Sequence, residues 1–250
     1  MVNHWEESTV LNKYAPFRNL GERLRSERHF LQKITLNNGA RVIDVGSACG
    51  DLARVLAEQT GSYDFDYTGV EFSESLHGEA LRRFSTEPFV DPLGLGYGLK
   101  TTFLNKKFDR AFCESALTRF DLLVATGFIQ HCLTPYQIIG EFRSITDTDG
   151  LILFDLKFVL EHDSIHDINR AYCDHQERIP YTALNLGEFL RYLHTEFPHS
   201  AVEIFGYRSG VNGSVVLPQT LTESPISAHV LINLAQASPD ARGVNVQFLN

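Results

Sequence analysis

Several protein classes are excluded by what this sequence does not contain. No run approaches the roughly 18 apolar residues that a membrane helix requires. The opening MVNHWEESTV has neither the basic stretch nor the apolar stretch that heads a secretory signal, so a cytoplasmic protein with no membrane partner is expected. The four cysteines, Cys49, Cys113, Cys132 and Cys173, contain no C-x-x-C pair. That spacing argues against a zinc ribbon or a dithiol redox centre and leaves free buried thiols. There is no internal repeat and no basic stripe, and the formal net charge is −9 with a pI near 5.5. A nucleic-acid partner is therefore not expected, and a small or uncharged ligand fits better. Nothing in the sequence fixes an oligomeric state.

What is present is an alternation. The 250 residues are 43% hydrophobic and 21% charged, enough for one large core. From residue 40 onward, short apolar runs alternate with segments whose apolar positions lie three and four apart, the pattern of α/β units. ARVIDVG predicts a buried strand and DLARVLAEQTG a helix with Leu52, Val55 and Leu56 inward, stopped by Gly61. YTGVEF and SESLHGEALRRF repeat the pair. A third strand is read near RAFCES, after a long irregular loop at 88–107. FDLLVAT is the fourth strand. It leads through GFIQHCL into a helix with Thr134 as N-cap, Pro135 at its first position and Gln137 closing the box; Ile138, Ile139, Phe142 and Ile145 face the core. DTDG reads as a turn and LILFDLKF as a fifth strand.

Residues 158–184 break this rhythm. They are polar and rich in His, Asp and Tyr. A helix then starts at Asn185 with Glu188 completing its box and with Phe189, Leu190, Leu193 and Phe197 as its stripe. AVEIFGY and AHVLINLA are the last strand candidates. The expected fold is a doubly wound, Rossmann-like α/β sheet of seven strands, mostly parallel, with these last two as an antiparallel edge. Residues 1–37 are expected to form a helical cap, whose Trp5, Tyr14 and Phe17 fit either a lid over a ligand or packing on the sheet edge, and residues 38–250 the main domain.

The most informative stretch is VIDVGSACG, residues 42–50, a strand that runs into a glycine turn. Such a turn at a helix N-terminus frees backbone N–H groups and lets a ligand approach the chain closely. Glu71 ends the next strand, where a carboxylate can accept hydrogen bonds from both hydroxyls of a ribose. The pattern is Asp-x-Gly-x-Ala-x-Gly, not the G-x-G-x-x-G of dinucleotide sites. Asp51, at the helix start, would repel a pyrophosphate, so a cationic cofactor without phosphate suits the turn better.

These features together resemble the class I S-adenosylmethionine-dependent methyltransferases over roughly residues 38–235. VIDVGSACG is similar to the family's first motif and GVEFS to its ribose-binding strand end. FDLLVATGFIQHCLTP is similar to its fourth motif, and DTDGLILFDL to the segment that forms strand five. The departure is Ala48, where the family has its middle glycine. The resemblance implies S-adenosyl-L-methionine held by Asp44, Gly46, Ser47, Gly50, Glu71, Phe72, Glu114, Ser115 and Thr126. It puts His131 near the transferred methyl, as a base or an acceptor-positioning group. The reaction expected is methyl transfer to oxygen or nitrogen of a small-molecule acceptor. A catalytically silent cofactor-binding module and a nicotinamide-dependent oxidoreductase remain as alternatives. The 158–184 segment is expected to form a lid that chooses the acceptor, with Tyr172, Arg178 and Tyr181 as substrate contacts. His162 and His166 would share a face on a helix, but a solvated surface accounts for them and no metal is expected.

Overall fold

The computed structural model describes residues 12, 25–86, 99–160, 163–167, 181–208, 226–235 and 243–249. The chain divides into two compact units, Met1–Ala125 and Thr126–Asn250. No helix among the described residues is long and apolar enough to cross a membrane. Of the expected N-terminal cap, α1 (Arg25–Leu31) is described, while Trp5, Tyr14 and Phe17 lie outside the described residues.

The first unit is built on four parallel strands in the order β4 (Phe120–Ala125), β1 (Ala40–Val45), β2 (Phe65–Glu71) and β3 (Lys100–Asn105). Strand β1 is buried at every position but Arg41, as a strand covered on both faces must be. Arg41 is used at the strand start, where its backbone N–H donates to the Asp121 carboxylate at 2.7 Å and fixes the β1–β4 register. Helix α2 (Asp51–Thr60) buries Leu52, Val55 and Leu56 as the spacing predicts, and Gly61 ends it with φ of 64°. Helix α3 (Glu74–Thr86) reaches back to α2 through Arg83, whose guanidinium meets Asp51 at 2.7 Å.

Here the sequence reading needs correction. RAFCES is not the third strand; it is helix α4 (Arg110–Ser115). The Asp109 side chain caps it, accepting from the Phe112 N–H at 3.0 Å, and Arg110 pairs with Glu114 one turn on. The third strand lies earlier, in KTTFLN, inside the stretch expected to be a loop.

The second unit is ordered β10 (Gly243–Leu249), β8 (Ala201–Arg208), β9 (Ile226–Asn233), β5 (Thr146–Val159). Strand β9 is antiparallel to both neighbours, whereas β10 is parallel to β8 and β7 (Tyr181–Asn185) is parallel to β5. The α/β class and the mostly parallel sheet are those expected. The strands exceed seven, since β6 (Ile165–Asp167), β7 and β10 are additional, and the antiparallel strand is interior to this sheet instead of at its edge. DTDG is no turn: helix α5 (Pro135–Ile145) passes directly into β5, whose polar first residues are partly exposed. Thr134 occupies the N-cap of α5 without a side-chain cap bond, because Pro135 already presets the first turn. Helix α6 (Leu186–Glu196) is capped by Asn185 as expected, but its box closes through Ser164: the Asn185 N–H donates to Ser164 Oγ, which donates to Glu188. His166 lies on strand β6, paired antiparallel with β7, and not on a helix; His162 is outside the described residues.

Hydrogen bonds from Arg82, then from Arg83, hold the Glu79 carboxyl at about 2, down from 4.5. A folded pKa below the unfolded one adds stability that is present above 4.5 and is lost as pH falls toward 2. Glu79→Gln is therefore expected to destabilise by up to about 1 kcal/mol near neutral pH and by nothing at the acid end, as read by urea unfolding across pH.

Candidate functional site

The turn after β1 alternates left-handed residues, with φ of 74° at Gly46, 46° at Ala48 and 81° at Gly50. The N–H groups of Gly46 and Ser47 both donate to the Val70 carbonyl, at 2.9 and 3.2 Å, which continues the β1–β2 pairing into the turn. Gly50 then starts α2. It must be glycine on two counts: its φ, and the Phe103 ring, which would lie 2.7 Å from a Cβ there. Gly69 of β2 is required by packing alone, because Phe103 and the Ser47 hydroxyl would stand 2.7 and 2.8 Å from its Cβ. That hydroxyl is buried and has no hydrogen-bond partner.

Glu71 closes the arrangement. Its Oε2 accepts from the Ala48 N–H at 2.9 Å and its Oε1 from the Ser73 N–H at 2.8 Å. Phe72 follows, 53% exposed. Asn105, at the end of β3 and opposite Glu71 in register, donates to the carbonyls of Glu71 and Phe72 at 3.1 and 3.2 Å. Asp44 is buried in β1 and accepts from the Tyr67 hydroxyl at 2.5 Å. Cys49 is buried beside these groups, and burial above all pushes its thiol up to about 12, so it is not a nucleophile.

Six predicted residues, Asp44, Gly46, Ser47, Gly50, Glu71 and Phe72, thus meet at the carboxyl ends of β1 and β2. Glu114 and Ser115 are placed differently: they lie on α4, where Glu114 pairs with Arg110 at 2.8 Å and the Ser115 hydroxyl donates to the Phe112 carbonyl. Asn105 was missed because KTTFLN was read as loop; its Thr-x-Phe-x alternation after a basic residue was the available signal.

In the second unit, Thr126 and Gly127 follow β4, and the Gly127 N–H donates to Asp155 of β5 at 2.6 Å. His131 ends a single 3₁₀ turn, Ile129–His131, half-buried, with its Nε2 3.3 Å from the Gln130 side-chain amide. The next residue, Cys132, accepts at its carbonyl from the buried Thr182 hydroxyl of β7 at 3.0 Å. The end of the 158–184 segment is therefore fastened beside His131. Tyr172 and Arg178 lie outside the described residues, as does the Tyr181 side chain. Among the described residues no group of three or more His, Cys, Asp or Glu could hold a metal ion.

A sequence model of the family described as methyltransferase domain matches residues 16–201. The chain belongs to the class I S-adenosylmethionine-dependent methyltransferase family. No curated protein sequence matches it. Among solved structures, this methyltransferase is similar to the O-methyltransferase of a trans-AT polyketide synthase multienzyme from Brevibacillus brevis, at 16% identity and a TM-score of 0.53. That match covers 72% of this chain and 54% of the other, so the chain spans about half the length of that relative. A 1,6-didemethyltoxoflavin N1-methyltransferase from Burkholderia thailandensis matches at 15% identity and a TM-score of 0.53, over 90% and 86% of the two chains. A phosphoethanolamine N-methyltransferase from Haemonchus contortus matches at 13% identity and 0.58, over 85% and 52%. These likenesses establish the shared fold.

In this methyltransferase Ala48 adopts the left-handed conformation that a glycine would hold, so the turn keeps its path at a cost in strain. Ala48→Gly is expected to raise stability by about 0.5–1 kcal/mol in urea unfolding. A loss of stability would mean that the methyl group makes a contact that outweighs the strain.

Proposed function

We propose that this protein transfers the methyl group of S-adenosylmethionine to an oxygen or nitrogen of a small-molecule acceptor. The observation that carries this reading is the Glu71 carboxylate, held beside the glycine turn by two backbone amides with an exposed aromatic ring next in sequence. A carboxylate oxygen can accept more than one hydrogen bond, so a group that takes these N–H donors also suits the hydroxyls of a ribose. Phe72 offers an open ring to a flat base. The unpartnered Ser47 hydroxyl is a buried polar group in want of a ligand, and the turn carries no cation that would oppose a sulfonium. S-adenosylmethionine supplies an electrophilic methyl carbon, and alignment of a nucleophile with it accounts for much of the rate.

On the acceptor side, His131 orients the nucleophile, and the 158–184 segment, ending in a strand bonded beside His131, selects the acceptor through Tyr172, Arg178 and Tyr181. A protein with net charge −9 and no basic stripe suits a small acceptor in the cytoplasm.

The test is titration calorimetry with S-adenosylhomocysteine. Wild-type protein should bind it, Glu71→Ala should bind about ten- to a hundred-fold more weakly, and Glu114→Ala should be close to wild type. His131→Ala should keep the affinity within a few-fold. Binding of NAD in place of S-adenosylhomocysteine would end this reading.

A further inference from the structure

Strand β5 is enclosed from residue 150 onward, yet that stretch carries two charged residues, Asp155 and Lys157. Phe154, Leu156 and Phe158 are buried, and Phe154 and Phe158 pack on Phe189 of α6 at ring separations of 6.4 and 5.2 Å. Alternation places Asp155 and Lys157 on the opposite face. A strand so covered ordinarily reads as an unbroken apolar run, and ionisable groups are rarely buried without a task. The unbroken register with β9 sets Asp155 against His229 and Lys157 against Ser227. Asp155, Ser227 and His229 are 7%, 4% and 1% exposed.

The Lys157 amino group donates to the Ser227 hydroxyl, a neutral partner. Asp155 gives one oxygen to the Gly127 amide. Burial pushes the lysine pKa down, and Asp155 opposes that in part. By register, the titratable residues on the face of Lys157 among the described residues are Asp155 on its own strand, His229 on β9 and Tyr207 of β8, which stands opposite Ser227. Glu203 of β8 lies one pair further along the same face, opposite Leu231, and β7 contains no charged residue. Lys157 stands two residues before the end of β5, on the side of the sheet where open α/β folds bind ligands. Asp155 meanwhile anchors the loop that carries Thr126 and His131, so the polar face of β5 and the His131 loop form one constellation. His131 itself has Nε2 beside the Gln130 side-chain amide.

Resting on the methyl-transfer reading above, we propose that Lys157, held by Ser227, meets the nucleophilic O–H or N–H of the acceptor and takes its proton. As the acceptor atom gives its lone pair to the methyl carbon, the carbon–sulfur bond breaks and its electron pair stays on sulfur as a neutral thioether. The proton leaves the acceptor for the neutral Lys157 amine, and the ammonium returns it to water. The acceptor class is therefore protic and weakly acidic, a phenol, alcohol or amine, and not a thioether or an aromatic tertiary nitrogen.

The test needs no known acceptor. Lysines of the folded protein are reductively methylated with ¹³C-formaldehyde and titrated by NMR, with Lys157→Arg identifying the signal by its loss. The Lys157 signal should titrate below those of the other lysines, and Ser227→Ala should move it. Titration with the other lysines, or failure of Lys157 to react at all, would overturn the proposal, since the amine would then be an ordinary cation or closed to solvent. In parallel, a panel of simple phenols, alcohols and primary amines is incubated with S-adenosylmethionine. For any member that wild type methylates, Lys157→Arg should lose more than about ten-fold in turnover with S-adenosylhomocysteine affinity unchanged. Retained turnover overturns the assignment. Loss of S-adenosylhomocysteine binding by wild type itself would overturn the cofactor reading instead.

Discussion

The Glu71 carboxylate takes the Ala48 amide with one oxygen and the Ser73 amide with the other, tying the ends of β1 and β2 through a single side chain. The turn on one side of this clasp holds three residues in left-handed conformations, one of them an alanine. Bonds to an ionised acceptor are about twice as strong as neutral ones, which is enough to offset the strain at Ala48. The other arm orders Ser73, which is fully buried and whose hydroxyl accepts from the Leu76 N–H at the start of α3. Without a carboxylate at position 71, both loops would lose their shared anchor. Asn105 completes the frame by donating to the two successive carbonyls of Glu71 and Phe72.

A comparable economy governs the loop after β4 in the second unit. Asp155 holds its second residue, Gly127, through the backbone, and Thr182 holds Cys132 near its end. His131 stands between two fixed points on different strands, so its position is set by the sheet and not by the loop's own preferences. The same Asp155 belongs to the polar face of β5 opposite the phenylalanine cluster, which gives one strand a packing side and a chemical side.

The glycine turn, Glu71 and the first two βα units were legible in the sequence because their signals are local: a buried apolar run, a glycine at a helix start, an acid at a strand end. What escaped had misleading local composition or depended on partners distant in sequence. RAFCES reads as a strand by composition, and only the Asp109 cap and the Arg110–Glu114 pair reveal a helix. KTTFLN is too polar to stand out, since an edge strand of the first unit need not be apolar on both faces. DTDG has turn composition, yet α5 feeds straight into the strand and the polar residues sit on its solvated start. The role of Asp155 was invisible because its partner lies on another element, and the significance of Lys157 appears only when the β9 register sets Ser227 across from it.

The central claim is that the clasped turn is the cofactor site, and backbone amide NMR tests it most directly. On titration with S-adenosylhomocysteine, the largest shifts should fall at Ser47, Ala48, Cys49, Glu71, Phe72 and Asn105, and the amides of Glu114 and Ser115 on α4 should move less. Shifts centred on α4, with the amides of residues 46–50 unchanged, would contradict the account.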